Sequence, residues 1–334
     1  MALSLPLLLA GCAVPVPSPT TAAWHVPVLA PVDAWAIQLQ GFDATTPPSR
    51  FAAVAVDLLV LEPMRSQRGE EPFPMRELVQ RVQASPGASL PGKRVVAYLN
   101  IGQAEDYRGY WQPSWQAPTA ERPGSPAFLL GLDPDGWRGN YPVAFWRPEW
   151  KRCLFGHAEA PLDQLLADGF EGIYADWVLG FLDPQVRAAA AADGVDPAVE
   201  MVRLLAELRA YGRARYPLFV VIAQNALALA EQRPELLDGI DAIAQEDLSF
   251  RGLASAAWND AGAGDIPTTP ATPTAETAAW DVGERLRRLR ERGVKVFTLD
   301  YALQPENVAR AIERSRALGL VPCVSRTPLD RLPQ

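Results

Sequence analysis

Carboxylates and side-chain amides recur where short apolar runs of this sequence stop. Asn100, Gln103, Glu105 and Asp106 follow the run RVVAYLN, and Asp176 closes GIYAD. Gln224 and Asn225 close LFVVIAQN, Glu246 and Asp247 close IDAIAQED, and Asp300 and Tyr301 close VKVFTLDY. One charged residue after a strand is commonly just a solvated loop end. The same chemistry at five such ends implies a fold that gathers those ends around one mouth. Other reactive groups are scarce. The only histidines, His25 and His157, leave no material for a histidine-rich metal site or a Ser-His-Asp triad. A carboxylate-built Mg²⁺ or Ca²⁺ site stays open on composition, but nothing in the pattern requires a metal or cofactor, and none is expected. Carboxylate is plentiful. Cleavage of a glycosidic bond needs two such groups, an acid that protonates the leaving oxygen and a carboxylate that attacks or activates water.

These ends must be positioned by the apolar runs themselves. Eight are read as strands, at 35–41, 57–63, 94–102, 172–178, 218–225, 240–247, 294–301 and 320–326. They are short, rich in β-branched residues and continuously apolar, as suits strands buried on both faces of a parallel sheet. Helical patterns at 75–84, 161–169, 198–216, 282–293 and 306–319 separate most of them, several with glycine at the end. Eight strands alternating with helices predict a (β/α)₈ TIM-type barrel, with an open doubly wound sheet as the alternative. No GxGxxG follows a strand, which argues against a dinucleotide site. Two segments, about 104–150 and 249–280, are too long to be simple connections. They follow strands three and six and so belong to the face where barrels carry their chemistry.

The first long segment holds Trp111, Trp115, Trp137, Trp146 and Trp150 together with Tyr107, Tyr110 and Tyr141. Aromatic rings offer flat contact area with a polar edge, a surface on which a pyranose ring can pack. The competing reading is a hydrophobic cluster that pins the loop. The chain carries a net charge of −8, which disfavours nucleic acid as a partner and tolerates a cationic one.

The sequence opens MALSLPLLLAGCAVPVPSPTTAAW. Small residues directly before Cys12, after a short apolar run, resemble a bacterial lipobox, although no Lys or Arg precedes the run. The expected organisation is a signal peptide at 1–11, a lipidated Cys12 with a flexible tether over 12–33, a barrel over 34–328 and a tail at 329–334. That predicts an extracytoplasmic protein anchored to a membrane, outer membrane or cell surface, through Cys12. Cys153 and Cys323 are free to be paired in such a compartment or to remain buried thiols.

Several segments, taken in order, resemble one family. They are YLNIGQAEDYRGYW (98–111), NYPVAFWRPEW (140–150), GFEGIYADWV (169–178), AQNA (223–226), AQEDLSF (244–250) and TLDYAL (298–303). The chain is similar to the endo-α-1,4-polygalactosaminidases, glycoside hydrolase family 114. The resemblance implies a (β/α)₈ barrel that hydrolyses α-1,4-linked galactosamine-containing polysaccharide, with Asp176 and Glu246 as the catalytic pair. Glu105, Asp106, Tyr107, Trp111, Trp146, Tyr174, Gln224, Asn225, Asp247, Asp300 and Tyr301 are then expected to contact substrate. The sequence departs from the family pattern at Glu171, at Asn100-Ile101 and at Ala226, none of which removes a catalytic carboxylate. A non-catalytic polysaccharide-binding lipoprotein and a barrel hydrolase for another glycan are the rival expectations.

Overall fold

A computed structural model describes residues 28–41, 46–62, 74–268 and 281–332. The expected signal peptide, Cys12 and most of the tether lie outside the described residues. All eight expected strands are present: β1 (Trp35–Gln38), β2 (Leu58–Leu61), β3 (Arg94–Asn100), β4 (Gly172–Asp176), β5 (Val220–Gln224), β6 (Ala242–Glu246), β7 (Lys295–Tyr301) and β8 (Val321–Ser325). They pair in parallel in chain order from β1 to β8 and form a nearly closed ring flanked by helices, the (β/α)₈ architecture. Where the first and last strands meet, the Trp35 indole Nε1 donates to the Val321 carbonyl at 3.0 Å.

The two faces of each strand fill two cores, which is why the runs read as continuously apolar. Inward residues, among them Trp35, Leu58, Val60, Val96, Tyr174, Ile222, Ala244, Phe297 and Leu299, pack the barrel interior. Trp35 lies between Tyr174 and Phe297, at ring centroid distances of 6.3 and 5.4 Å. The alternate residues, such as Leu59, Val95, Ile173, Val221 and Ile243, pack under the helices. Many of the 32 prolines start helices. Pro48, Pro148, Pro161, Pro184, Pro197 and Pro305 each open one, where the missing N–H costs nothing and φ is already helical. The Asp183 and Asp196 side chains cap the helices Pro184–Asp193 and Pro197–Arg213 by accepting backbone N–H bonds.

The packed unit reaches beyond 34–328 at both ends. Leu29 and Val32 are buried on the N-terminal side, and Leu329 and Leu332 on the C-terminal side. The Leu39 and Gln40 N–H groups both donate to the Leu329 carbonyl, which ties the last residues to the first strand. Cys153 and Cys323 are both free thiols, the second buried in the barrel interior.

The segment after β3 is a folded structure in its own right. Residues Gln103–Glu105 pair antiparallel with Asn140–Pro142. Tyr110, Trp111, Trp115, Phe128, Tyr141 and Trp150 pack ring against ring at 5.2–6.4 Å. Trp150 is fully buried and its Nε1 donates to the Ile101 carbonyl, fastening this cluster to the end of β3. After β6, Phe250–Arg251 pairs with Ile266–Pro267.

Candidate active site

Strand alternation decides which polar residues enter the mouth. Tyr174, Ile222, Ala244 and Leu299 point into the barrel. Two residues further on, in the same parity, stand Asp176, Gln224, Glu246 and Tyr301. These four come from four adjacent strands, β4 to β7, and form one polar layer above the apolar interior.

The residue after each of the first three has left-handed backbone: Trp177 (φ 59°), Asn225 (φ 51°) and Asp247 (φ 58°). Asparagine and aspartate enter this region at little cost, but a bulky tryptophan does so only when its surroundings enforce it. Gly102 and Gly180 supply that enforcement, because a Cβ at either position would collide with the Trp177 indole. The turn aims the Trp177 N–H back at Asp176 Oδ1, 2.7 Å away. The Asn225 side chain performs a related task, its Oδ1 accepting from the Glu246 N–H at 2.8 Å.

Each carboxylate has its own set of donors. Tyr98 Oη donates to Asp176 Oδ2 at 2.5 Å. Tyr174 Oη donates to Glu246 Oε1 at 2.9 Å, Tyr301 Oη to Oε2 at 3.3 Å, and Gln224 also bonds to Glu246. Burial pushes Asp176 up to about 7, and the charge of Glu246 adds to the effect, while the Tyr98 and Trp177 bonds oppose it. Glu246 is likewise pushed up to about 7, by burial and then by Asp247, against the bonds from Tyr174, Gln224 and Tyr301. Asp247 is itself raised to about 7, by burial first and then by Asp300. Its Oδ1 is buried without a hydrogen-bond partner, so it keeps an acceptor unused at the mouth.

The other expected site residues divide into two groups. Glu105 is buried beside the pair, with its oxygens held by Tyr107 (2.6 Å) and Arg108 (2.6 Å), and Arg108 also grips Glu62 through two bonds. Asp106 accepts from Tyr141 Oη at 3.0 Å and its N–H donates to the Gly139 carbonyl, so it closes the loop after β3. Trp111 is buried in the aromatic cluster, the loop-pinning role rather than an open sugar platform. Trp146 is held at the end of the helix Pro184–Asp193 by a 2.8 Å bond from Nε1 to Asp193. Asp300 alternates with inward Tyr301, and its Oδ1 accepts from the Ser249 and Phe250 N–H groups, anchoring the loop after β6. Three residues absent from the expected set belong here: Tyr98, Asp133 and Asp135. Asp133 accepts from Gln103 Nε2 at 2.5 Å, and Asp135 is raised by burial and by Asp133 while its own charge raises Asp247.

Paired carboxyl groups poised near neutrality in a barrel mouth are what a glycosidase requires. The chain matches the model of glycoside-hydrolase family GH114 over residues 16–334. It belongs to that family. An uncharacterized protein from Deinococcus radiodurans is 34% identical over 321 residues, spanning 95% of this chain and 88% of its own. One from Thermotoga maritima is 27% identical over 323 residues, spanning 93% and 84%. Among solved structures, the glycoside hydrolase domain of PelA from Pseudomonas aeruginosa superposes with a TM-score of 0.58 at 19% identity, covering 90% of this chain and 97% of that one. Ega3 from Aspergillus fumigatus, solved in complex with galactosamine, gives 0.59 at 14% identity, covering 94% and 98%. This GH114 chain is a glycoside hydrolase.

The raised carboxyls have a cost in stability with a definite sign. The ordinary value for Asp176 is 3.8 and its folded value is about 7. Well below its ordinary value of 3.8 the group is protonated in folded and unfolded chains alike and costs nothing. As pH rises through 3.8 to about 7 the folded protein holds a proton that the unfolded chain has lost, and stability falls. Asp176→Asn should therefore come closest to the wild type in urea unfolding at about pH 3 and exceed it at about pH 8, by on the order of 2 kcal/mol. Equal stability at pH 8 would show that the carboxyl is not held in a costly ionised state.

Proposed function

We propose that this glycoside hydrolase cleaves α-1,4-linked galactosamine or N-acetylgalactosamine polysaccharide, with Asp176 as nucleophile and Glu246 as acid/base. The observation that carries the mechanism is the shared polar layer in which both carboxyl groups are raised to about 7. Near neutral pH such a pair holds one proton and one negative charge with good occupancy. Glu246 gives its proton to the glycosidic oxygen as that oxygen's bond to the anomeric carbon breaks. A carboxylate oxygen of Asp176 forms a bond to the same carbon. Water then attacks the carbon, passing a proton to Glu246 while the bond to Asp176 breaks.

The substrate class rests on family membership, on the galactosamine bound by Ega3 and on charge. A free 2-amino group is cationic near neutral pH. Asp247 and Asp135 add carboxyl groups close to one another near the mouth, and the chain as a whole carries −8. Asp176→Asn and Glu246→Gln should fold normally and lower turnover of partially deacetylated galactosaminogalactan by at least about a thousandfold. Near-normal turnover in either variant would overturn the assignment. Equal or faster release of products from a different amino-sugar polymer would overturn the substrate.

We also propose lipid anchoring through Cys12. The chain enters the barrel at its base: Leu29 packs into the interior core, and Lys295, the first residue of β7, donates from Nζ to the Ala30 carbonyl. A tether from a membrane would therefore reach the end opposite the mouth and leave the mouth facing a polymer. In a bacterial host, Cys12→Ser should shift the protein from the membrane fraction to the soluble one. Unchanged membrane partition would remove this proposal.

A further inference from the structure

Resting on Asp176 as the nucleophile, we propose that Tyr98 is the positioning residue that keeps this carboxylate ionised and aimed at the anomeric carbon. Tyr98 lies on β3 directly beside Tyr174 of β4, and Asn100 lies beside Asp176, so Tyr98 sits one step below the nucleophile. Its ring packs against the barrel interior and carries its hydroxyl up to Asp176 Oδ2 at 2.5 Å. That is the length of a strong hydrogen bond to an ionised acceptor. The opposite oxygen, Oδ1, accepts from the Trp177 N–H at 2.7 Å. Donors on both oxygens fix the plane of the carboxylate as well as its charge.

The two carboxyl groups differ in how they are held. Both donors to Asp176 are short, and one of them is a backbone group. The Tyr301 contact to Glu246 Oε2 is 3.3 Å, a loose bond to the oxygen that would carry a transferable proton. The charged and titratable groups facing Asp176 are Glu246 from β6, Glu105 from the segment after β3, Tyr98 from β3, Tyr174 from β4 and Tyr301 from β7. Those facing Glu246 include Asp247, Tyr174 and Tyr301. Every one of these carboxylates destabilises a second negative charge, and no cation donates directly to Asp176 among the described residues. Tyr98 is therefore the side chain that offsets this repulsion at Asp176. Burial and the adjacent carboxylates drive its own phenol well above the usual range, so it remains a donor throughout the working pH range.

Tyr98→Phe keeps the ring and removes only the donor. Carboxyl ¹³C NMR of the labelled enzyme, with Asp176→Asn and Glu246→Gln spectra to assign the signals, reads each group separately where limbs of a rate profile would merge for two groups near 7. Without the Tyr98 bond the Asp176 titration should move up by about one to two pH units, and kcat at neutral pH should fall roughly ten- to a hundredfold. KM and the unfolding temperature should change little, and the Glu246 titration should not rise. Tyr174→Phe should instead raise the Glu246 titration, because it removes a bond to Glu246. Tyr98→Leu, measured alongside, should shift the same titration as Tyr98→Phe.

An Asp176 titration unmoved in both Tyr98 variants would overturn the inference, as would a rise of the Glu246 titration alone. A Tyr98→Phe enzyme with normal kcat beside an inactive Asp176→Asn would show that the nucleophile stands and the positioning role fails. Activity retained in Asp176→Asn would instead remove the reading on which the inference rests.

Discussion

Two carboxyl groups set into one barrel mouth lose solvation, the charge of Glu246 adds to the cost of ionising Asp176, and the upper half of the barrel is organised around that conflict. The ring of strands delivers Asp176 and Glu246 to one layer, with Gln224 of β5 between them, where burial alone disfavours ionising either of them. What keeps both usable is a shell of neutral donors. Tyr98 and the Trp177 N–H serve the first group, and Tyr174, Gln224 and Tyr301 the second. These donors come from β3, β4, β5 and β7, so closing the ring assembles the support at the same moment as the pair. A buried cation would have held both carboxyls ionised, whereas neutral donors let one of them keep its proton near neutral pH. Arg108, the buried cation of this region, is committed to Glu105 and Glu62.

The backbone contributes the second element. Left-handed residues follow Asp176, Gln224 and Glu246 on three neighbouring strands. At two of them asparagine and aspartate accept that conformation readily, but Trp177 does not, and strain of this kind costs about 1–3 kcal/mol. Packing of its indole against Gly102 and Gly180 holds it there. The return on that strain is an N–H donor in a position that no side chain of the same strand could reach.

Much of the fold was legible because parallel strands buried on both faces leave continuous apolar runs, and all eight were found where those runs lie. The mouth was only partly legible. Asp176, Gln224, Glu246 and Tyr301 share one strand parity with the interior residues below them, and parity is a sequence property. Asp300 is adjacent in sequence to Tyr301 but on the other face, so proximity to a strand end misled where alternation would have corrected it. Tyr98 was open to the same test, since it stands two residues before Asn100 in the run VVAYLN. Trp111, Trp146 and Asp106 lie in the long segment after β3, where no period links sequence to direction. Their partners, Tyr141 and Asp193, are 30 to 47 positions away. Asp133 and Asp135 were missed for the same reason. The pairing of Asp176 with Glu246 came from the family resemblance, because composition showed only that carboxylates are plentiful and histidines scarce.

The central claim is that burial, joined by a neighbouring carboxylate, Glu246 for Asp176 and Asp247 for Glu246, moves these two side chains out of the ordinary carboxylate range. Carboxyl ¹³C NMR of the labelled enzyme, with Asp176→Asn and Glu246→Gln spectra to assign the signals, measures this directly. The account predicts that both groups titrate near neutrality, at about 7, and that Glu246→Gln lowers the apparent value of Asp176. Two independent titrations near 4, unchanged when the partner is neutralised, would contradict it.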